Sequence, residues 1–241
     1  MKDDFGTSPF QKELAYDRIS NEWEHVISHY DENRRIEVLI NDFLGESNIE
    51  GKTCLDMGCG LGLFSQAIMK YHPSKLHACD ISPNLIQKLA QKEPRIHCQV
   101  ANIMALSHDF KEQKFDIVVC SEVIEHTPDP YKATGELVKV LTPGGFLAIS
   151  VPNKNWQWLL HLAQSLRLRQ HYQGYENWVL PSQLKEWLTG LDMEILRCEG
   201  IHTIPFPLAP KNFLRKLDLR MRNSNYQYAL NLAVLARKRA P

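Results

Sequence analysis

The stretch that decides the fold is Thr53-Cys54-Leu55-Asp56-Met57-Gly58-Cys59-Gly60-Leu61-Gly62. Its first half is a short apolar run that is typical of a buried strand, and its second half is a glycine-rich turn. Leu63-Phe64 then begin an apolar segment with helical character. A strand, a tight turn and a helix in direct succession predict an α/β unit that binds its ligand at the turn.

The same alternation of strands and helices continues along the chain. Short apolar runs predict further strands at residues 76–80, 96–100, 115–120, 146–151 and 228–236. Ser82-Pro83 and Asp129-Pro130 each place a capping side chain before a proline, which predicts two helix starts. The sequence therefore predicts an α/β fold with a doubly wound, mostly parallel sheet covered by helices on both faces.

Two further segments flank this alternation. Apolar residues at helical spacing predict amphipathic helices at the start of the chain: Ile19, Trp23, Val26, Ile27 and Tyr30, then Ile36, Leu39, Ile40, Phe43 and Leu44. We expect an N-terminal helical cap over residues 1–46 and an α/β domain over residues 47–241. Within that domain, the long stretch 200–225 before the last strand is predicted to be a lid-like insertion near the substrate.

Composition limits the classes of partner and the compartment. The 241 residues contain 28 Lys+Arg and 28 Asp+Glu, so no overall field exists to attract nucleic acid, and we expect no nucleic-acid partner. The apolar stretches fall short of the ~20 residues of a membrane helix, and Met1-Lys2-Asp3-Asp4 does not resemble a signal peptide. We expect a soluble, cytoplasmic protein, whose oligomeric state the sequence leaves open.

The six cysteines are predicted to be reduced. They stand at positions 54, 59, 79, 98, 120 and 198, and no two form a Cys-x-x-Cys pair. Most lie inside apolar, strand-like runs. We therefore expect packed core thiols rather than a zinc or redox site.

The ends of the first two predicted strands indicate a nucleoside ligand. A dinucleotide fingerprint would carry its third glycine or alanine where this chain has Leu63, which disfavours NAD. Asp80 closes the second predicted strand, where a carboxylate can accept hydrogen bonds from both hydroxyls of a ribose. The glycine turn and Asp80 together predict binding of a nucleoside.

Four spaced motifs resemble those of class I S-adenosylmethionine-dependent methyltransferases over about residues 50–152. They are Asp56-x-Gly58-x-Gly60-x-Gly62, Asp80, the run at residues 115–120, and Leu141-Thr142-Pro143-Gly144-Gly145. The resemblance implies a Rossmann-like methyltransferase fold in which the glycine loop contacts the methionine part of the cofactor. It also implies that Asp80 holds the ribose and that Ile81 packs on the adenine. Asn102 stands where the family commonly has an aspartate near the adenine amino group. The predicted cofactor-binding residues are Asp56, Gly58, Cys59, Gly60, Gly62, Asp80, Ile81, Asn102, Ile103 and Ser121.

A closer resemblance points to the acceptor. The block Cys120-Ser121-Glu122-Val123-Ile124-Glu125-His126, with Val151-Pro152-Asn153 and Gly200-Ile201-His202, is similar to the ubiquinone-biosynthesis O-methyltransferases. This implies methylation of a hydroxyl on a polyprenylated catechol-type ring. The Glu-x-x-Glu-His pattern is shared more widely among small-molecule methyltransferases, and residues 16–23 resemble the cap of enzymes that include sugar-modifying ones. A sugar or natural-product acceptor, or a non-catalytic cofactor-binding subunit, are the alternatives.

Glu122, Glu125 and His126 are the predicted catalytic residues. Their spacing of i, i+3 and i+4 would place them on one side of a helical turn. His126 could act as general base, or all three could bind a Mg or Zn ion that lowers the pKa of a catechol. An incidental, solvated cluster is the alternative.

The segment 211–222 combines basic and apolar residues. Lys211, Arg215, Lys216, Arg220 and Arg222 accompany Phe213, Leu214, Leu217 and Met221. Such a basic amphipathic segment is typical of peripheral contact with an anionic membrane surface. The alternative is a helix that packs on the domain with solvated arginines.

Several single residues are less informative. His202 is predicted to be a core or loop histidine, with an active-site role as the alternative. Trp178 and neighbouring aromatics could line an acceptor pocket, although aromatic residues dominate protein cores. Glu176 and Asn177 are expected to lie in a loop and predict nothing singly.

Overall fold

The computed structural model describes residues 29–165, 174–204, 210–222 and 224–240 of the chain. Ile19, Trp23, Val26 and Ile27, which carry the first predicted helix, lie outside the described residues, as does the segment 16–23. The predicted division at residues 46 and 47, and the lid role of residues 200–225, stay predictions.

Seven strands form one sheet. They are β1 (Thr53–Met57), β2 (Lys75–Asp80), β3 (His97–Val100), β4 (Phe115–Ser121), β5 (Leu141–Pro152), β6 (Met193–Ile201) and β7 (Asn231–Lys238). Their order across the sheet is β3-β2-β1-β4-β5-β7-β6. The first five run parallel, and β7 lies antiparallel between β5 and β6. This confirms the predicted doubly wound, mostly parallel sheet.

Helices cover both faces of this sheet. They are α1 (His29–Ile36), which continues through a π-helical stretch (Glu37–Leu44) into α2 (Gly45–Ile49), then α3 (Leu63–Met69), α4 (Pro83–Lys92), α5 (Leu106–Asp109), α6 (Pro130–Lys139), α7 (Gln157–Ser165), α8 (Pro181–Gly190) and α9 (Lys211–Met221). The predicted caps are confirmed: Ser82 Oγ accepts from the Leu85 N–H at 3.3 Å, and Asp129 Oδ1 accepts from the Lys132 N–H at 3.0 Å.

The alternation along β4 divides the core into two layers. Ile117 and Val119 pack in the cluster that contains Leu39 and Ile40 of the N-terminal helical stretch. Val118 and Cys120 belong to the opposite cluster, which contains Leu137, Leu184 and Leu188 of α6 and α8. Successive side chains of a strand point to opposite faces, so a wholly apolar strand needs helices on both sides.

β6 is a strand that the sequence analysis did not predict. Glu194, Arg197 and Glu199 interrupt its apolar pattern. The strand lies at the sheet edge and pairs with β7 from Met193 opposite Lys238 to Ile201 opposite Asn231. It is buried at Met193 and at residues 199–201 but not between them. An edge strand with polar residues lacks the continuous apolar run that reveals a central parallel strand.

Two smaller observations complete the fold. All six cysteines are free thiols, four of them buried, as predicted. Among the described helices, none is both long and apolar enough to cross a membrane.

Candidate active site

A cavity of about 600 Å³ opens at the carboxyl ends of the parallel strands. Ligand pockets are typically about 300–1,000 Å³. Its lining contains eight of the ten predicted cofactor-binding residues: Gly58, Cys59, Gly60, Asp80, Ile81, Asn102, Ile103 and Ser121. Strand ends separated along the chain therefore converge on one site, as expected for an open α/β sheet.

The glycine loop follows β1 and is closely packed against side chains of the neighbouring segments. Gly58 and Gly62 have left-handed φ angles of +79° and +82°. A Cβ on Gly58 would lie 2.2 Å from Val123 Cγ2, and one on Gly62 would lie 2.3 Å from Leu89 Cδ1. Gly58 thus lets the loop pass close to the start of the 122–126 segment. Gly62 lies outside the cavity lining, and its lack of a side chain lets α3 pack against α4.

Asp56 lies behind the loop rather than in the cavity lining. It is 3% exposed, and Ser65 Oγ donates a 2.6 Å hydrogen bond to its Oδ2 atom. Burial raises the pKa of Asp56 to about 7, against the lowering effect of the Ser65 hydrogen bond. The structure therefore places Asp56 as a buried support between β1 and α3.

Asp80 presents a fixed carboxylate to the cavity. Its Oδ2 accepts the Gly60 N–H at 2.9 Å and its Oδ1 accepts the Ser82 N–H at 2.9 Å. Asn102 also lines the cavity, and its amide oxygen accepts the Met104 N–H at 2.9 Å. The predicted ribose and adenine residues are thus held in place by the backbone around them.

Asp80→Ala is expected to weaken cofactor binding about tenfold to a hundredfold. Hydrogen bonds to a charged group contribute roughly 1.5–3 kcal/mol, and the substitution also removes the carboxylate that holds the Gly60 amide. Calorimetric titration with S-adenosylhomocysteine measures the effect, and circular dichroism checks the fold. Unchanged affinity for S-adenosylhomocysteine would show that Asp80 does not bind the cofactor.

Glu122 lies in a bend with a left-handed φ of +55°. Its Oε1 accepts from Ser150 Oγ at 3.0 Å, and its Oε2 accepts from Asn231 Nδ2 at 2.8 Å. Burial raises the pKa of Glu122, and the charge of Arg35 opposes that rise. Glu122 therefore ties the ends of β4, β5 and β7 together beside the cavity.

Glu125 is a buried carboxyl next to His126. It is 1% exposed, and its Oε1 lies 3.6 Å from His126 Nε2. Its Oε2 has no hydrogen-bond partner within the described residues. Burial, followed by the negative charge of Glu122, raises the pKa of Glu125 well above its ordinary value. Burial in this position therefore disfavours the charged form of the Glu125 carboxyl.

The orientation of His126 is set by a main-chain carbonyl. His126 Nδ1 lies 2.9 Å from the Tyr175 oxygen. A carbonyl can only accept, so the neutral imidazole carries its proton on Nδ1 and keeps a lone pair on Nε2. His126 lines the cavity. It therefore has the tautomer that a general base requires.

The predicted helical turn for the catalytic residues is wrong, because only Ile124–His126 form a short 3-10 turn and Glu122 precedes it in a bend. The predicted Mg or Zn ligation by Glu122, Glu125 and His126 stays a prediction. Among the residues that the structure describes, no group of three or more His, Cys, Asp or Glu side chains could hold a metal ion. Both oxygens of Glu122 instead accept hydrogen bonds from protein side chains.

Sequence reasoning missed the contribution of α1. Asp31, Glu32 and Arg35 line the cavity. Arg35 is 8% exposed and donates to Asp31 Oδ2 at 2.9 Å and to Ser121 Oγ at 3.2 Å. The i, i+4 spacing of Asp31 and Arg35 was a signal for a helical ion pair, but nothing local showed that the pair faces the site.

His202 lies in the core outside the cavity lining. It is fully buried, and its Nε2 is 2.7 Å from Asp31 Oδ1. Its main-chain N–H donates to Asp218 Oδ2 at 3.1 Å. His202 therefore supports Asp31 and joins α1 to α9 behind the site.

The helix α9 packs on the domain through Leu214 and Asp218, each 1% exposed. Arg215 pairs with Glu37, and Arg222 pairs with Asp42 at 2.6 Å. The exposed side chains of this helix include Phe213, Lys216 and Arg220. Two of the predicted lipid-binding arginines are thus engaged within the protein.

Comparison with known proteins gives the family. A family model described as a methyltransferase domain matches residues 27–197, so the chain belongs to that family. The ubiquinone biosynthesis O-methyltransferase of Coxiella burnetii (strain RSA 331 / Henzerling II) is 32% identical over 166 residues, covering 65% of this chain and 70% of the relative.

Solved structures share the fold at low identity. The magnesium protoporphyrin IX methyltransferase of Synechocystis PCC 6803, with bound S-adenosylhomocysteine, has a TM-score of 0.66 at 13% identity and covers 95% of this chain and 98% of its own. The [4+2]-cyclase SpnF has a TM-score of 0.69 at 17% identity and covers 97% of both chains. With the family match and the converging cavity, these likenesses identify the chain as an S-adenosylmethionine-dependent methyltransferase with a Rossmann-like fold.

Proposed function

We propose that the protein transfers the methyl group of S-adenosylmethionine to a hydroxyl of a small molecule, and that the acceptor is a polyprenylated catechol-type ring. The observation that carries the proposal is the orientation of His126, a residue of the cavity lining whose Nδ1 faces the Tyr175 carbonyl, so that Nε2 keeps its lone pair. The name of the Coxiella relative supports a hydroxyl on a quinone precursor as the target.

The residues present fit the cofactor. The main chain of the glycine loop forms part of the cavity wall through Gly58 and Gly60, where a ligand can meet the backbone without an intervening side chain. Asp80 would accept the ribose hydroxyls, and Ile81 and Asn102 would contact the adenine. The guanidinium of Arg35 would pair with the methionine carboxylate, since it is a permanently charged donor on the cavity wall. When bound, S-adenosylmethionine supplies an electrophilic methyl group on a sulfonium.

The chain's own residues move the proton. As the oxygen–carbon bond forms and the carbon–sulfur bond breaks, the acceptor hydroxyl gives its proton to His126 Nε2. The Tyr175 carbonyl then accepts from Nδ1 of the imidazolium and stabilises it. A phenol with an ordinary pKa of about 10 benefits from such a base near neutral pH. Alignment of two bound reactants supplies much of the remaining acceleration.

The acceptor and the metal role are tested together. Catechols, polyprenyl phenols and nucleotide sugars are incubated with the protein and S-adenosylmethionine, and release of S-adenosylhomocysteine is measured. We expect release with catechols and not with nucleotide sugars; the reverse would favour the sugar alternative. Loss of activity with a chelator and rescue by Mg²⁺ or Zn²⁺ would favour a metal bound with the substrate at Glu122, Glu125 and His126.

Peripheral membrane contact through residues 211–222 is part of the proposal, because a polyprenylated acceptor resides in lipid. Each exposed Lys or Arg contributes about 1 kcal/mol near an anionic bilayer. Lys216→Glu with Arg220→Glu is therefore expected to abolish flotation with anionic liposomes at low salt. Arg215 is left intact because its pairing with Glu37 holds α9 to α1.

The matched control for this flotation experiment is Lys92→Glu with Arg95→Glu. Both residues are exposed and lie beside β3, at the sheet edge opposite β6. The control makes the same change in net charge but leaves α9 unaltered. If the membrane contact is made through α9, the control protein should still float with the liposomes. A native protein that never floats would leave α9 as a packed surface helix.

A further inference from the structure

Residues 175–178, here called the 175–178 segment, hold the turn that carries His126 at three points. The Tyr175 carbonyl accepts from His126 Nδ1 at 2.9 Å. The main-chain N–H of Asn177 donates to the Glu125 carbonyl at 2.8 Å, and Asn177 Nδ2 donates to the Thr127 carbonyl at 2.7 Å. These bonds bracket His126 on both sides and fix its ring.

The turn itself has few internal bonds. Within it, the His126 N–H donates to the Val123 carbonyl at 3.0 Å, and the Ile124 carbonyl accepts from the Thr127 N–H at 3.1 Å and from Thr127 Oγ1 at 2.6 Å. Such 3-10 turns are short and have poor hydrogen-bond geometry. Its orientation therefore depends on the partners that the 175–178 segment provides.

The same segment forms part of the cavity wall. Glu176 and Trp178 line the cavity, as His126 does. Asn177 lies between them and donates both of its hydrogen bonds to the turn. The bonds that orient the imidazole thus also set the wall against which an acceptor would bind.

We propose that Asn177 is a positioning residue that keeps the Tyr175 carbonyl against His126 and so fixes the imidazole tautomer with its lone pair on Nε2. The inference rests on the proposed function, in which that Nε2 takes the hydroxyl proton. Loss of the Asn177 side chain loosens the segment two residues from Tyr175. Part of the His126 population then carries its proton on Nε2, where it can no longer accept one.

The test reads the tautomer directly by ¹⁵N nuclear magnetic resonance of imidazole-labelled protein with S-adenosylhomocysteine. The His126 signals are assigned by their loss in His126→Gln. We expect a protonated Nδ1 and an unprotonated Nε2 in the native protein. Asn177→Ala and the isosteric Asn177→Asp both remove the side-chain donor Nδ2. In both variants we expect a mixture of His126 tautomers.

Gln157→Ala is the matched control. Gln157 Nε2 donates to the Glu176 carbonyl at 3.3 Å, so it anchors the same segment without contacting the turn. In Gln157→Ala, the His126 imidazole should keep its native tautomer. An equal change in Gln157→Ala, or a native tautomer in Asn177→Ala, would overturn the specific role of Asn177.

Kinetics supply the second measurement. We expect kcat to fall about threefold to tenfold in Asn177→Ala, the size typical of losing one hydrogen bond. KM for S-adenosylmethionine should not change, because Asn177 contacts neither the glycine loop nor Asp80. If the native protein methylates no acceptor, the proposed function fails while the tautomer measurement still decides the role of Asn177.

Discussion

His126→Ala is expected to lower kcat for methyl transfer by about 10²- to 10⁴-fold, the usual contribution of a general base. The loss follows because Nε2 is the imidazole atom left with a lone pair by the Tyr175 carbonyl, and because burial raises the pKa of Glu125 and so disfavours its carboxylate form. Binding of S-adenosylhomocysteine should change little, since the glycine loop and Asp80 are untouched. Initial rates with the best acceptor, together with calorimetric titration, separate the two effects.

His108→Ala is the control for this substitution. The His108 side chain is 73% exposed and lies outside the cavity lining. The His108→Ala variant should therefore have the same kcat and KM as the native protein. Full activity in His126→Ala would contradict the base role and leave alignment of the reactants as the source of catalysis.

Gly58→Ala is expected to weaken cofactor binding on the order of 100-fold. The new Cβ would lie 2.2 Å from Val123 Cγ2, and the residue has a left-handed φ of +79°. This steric overlap is relieved only if the glycine loop or Val123 moves. Gly58 and Val123 both line the cavity, so either movement changes its shape. Overpacking costs about 1–3 kcal/mol, and this strain acts where the cofactor contacts the loop.

Gly51→Ala separates steric overlap from backbone strain. Gly51 has a similar left-handed φ of +68°, but no heavy atom lies within 4 Å of a Cβ built there. Gly51→Ala should lower the free energy of unfolding by about 1–2 kcal/mol, because the left-handed backbone is strained by a Cβ. Cofactor affinity should not change. Urea denaturation and titration with S-adenosylhomocysteine measure both quantities. Native affinity in Gly58→Ala would show that the loop does not need this close approach.

The sequence determined the features that depend on neighbouring residues. The bounds of β1 match the prediction at Thr53–Met57, and those of β2 and β4 differ by one residue. The starts of α4 and α6 follow their capping side chains. Apolar periodicity, capping and glycine turns act within a few residues, so a single sequence reveals them. The convergence of Gly58, Asp80 and Ser121 on one cavity could be predicted for the same reason, because each lies at the end of a strand or directly after it.

The tertiary structure alone decided which distant segments meet around the cavity. Arg35 reaches Ser121, Asn231 reaches Glu122, and Tyr175 reaches His126 across 86, 109 and 49 residues of chain. No local pattern encodes such contacts. The raised pKa of Glu125 follows from burial, and the tautomer of His126 follows from one carbonyl. Both arise only when these distant segments pack together. Folding therefore decides which of the residues named from the sequence can accept a proton.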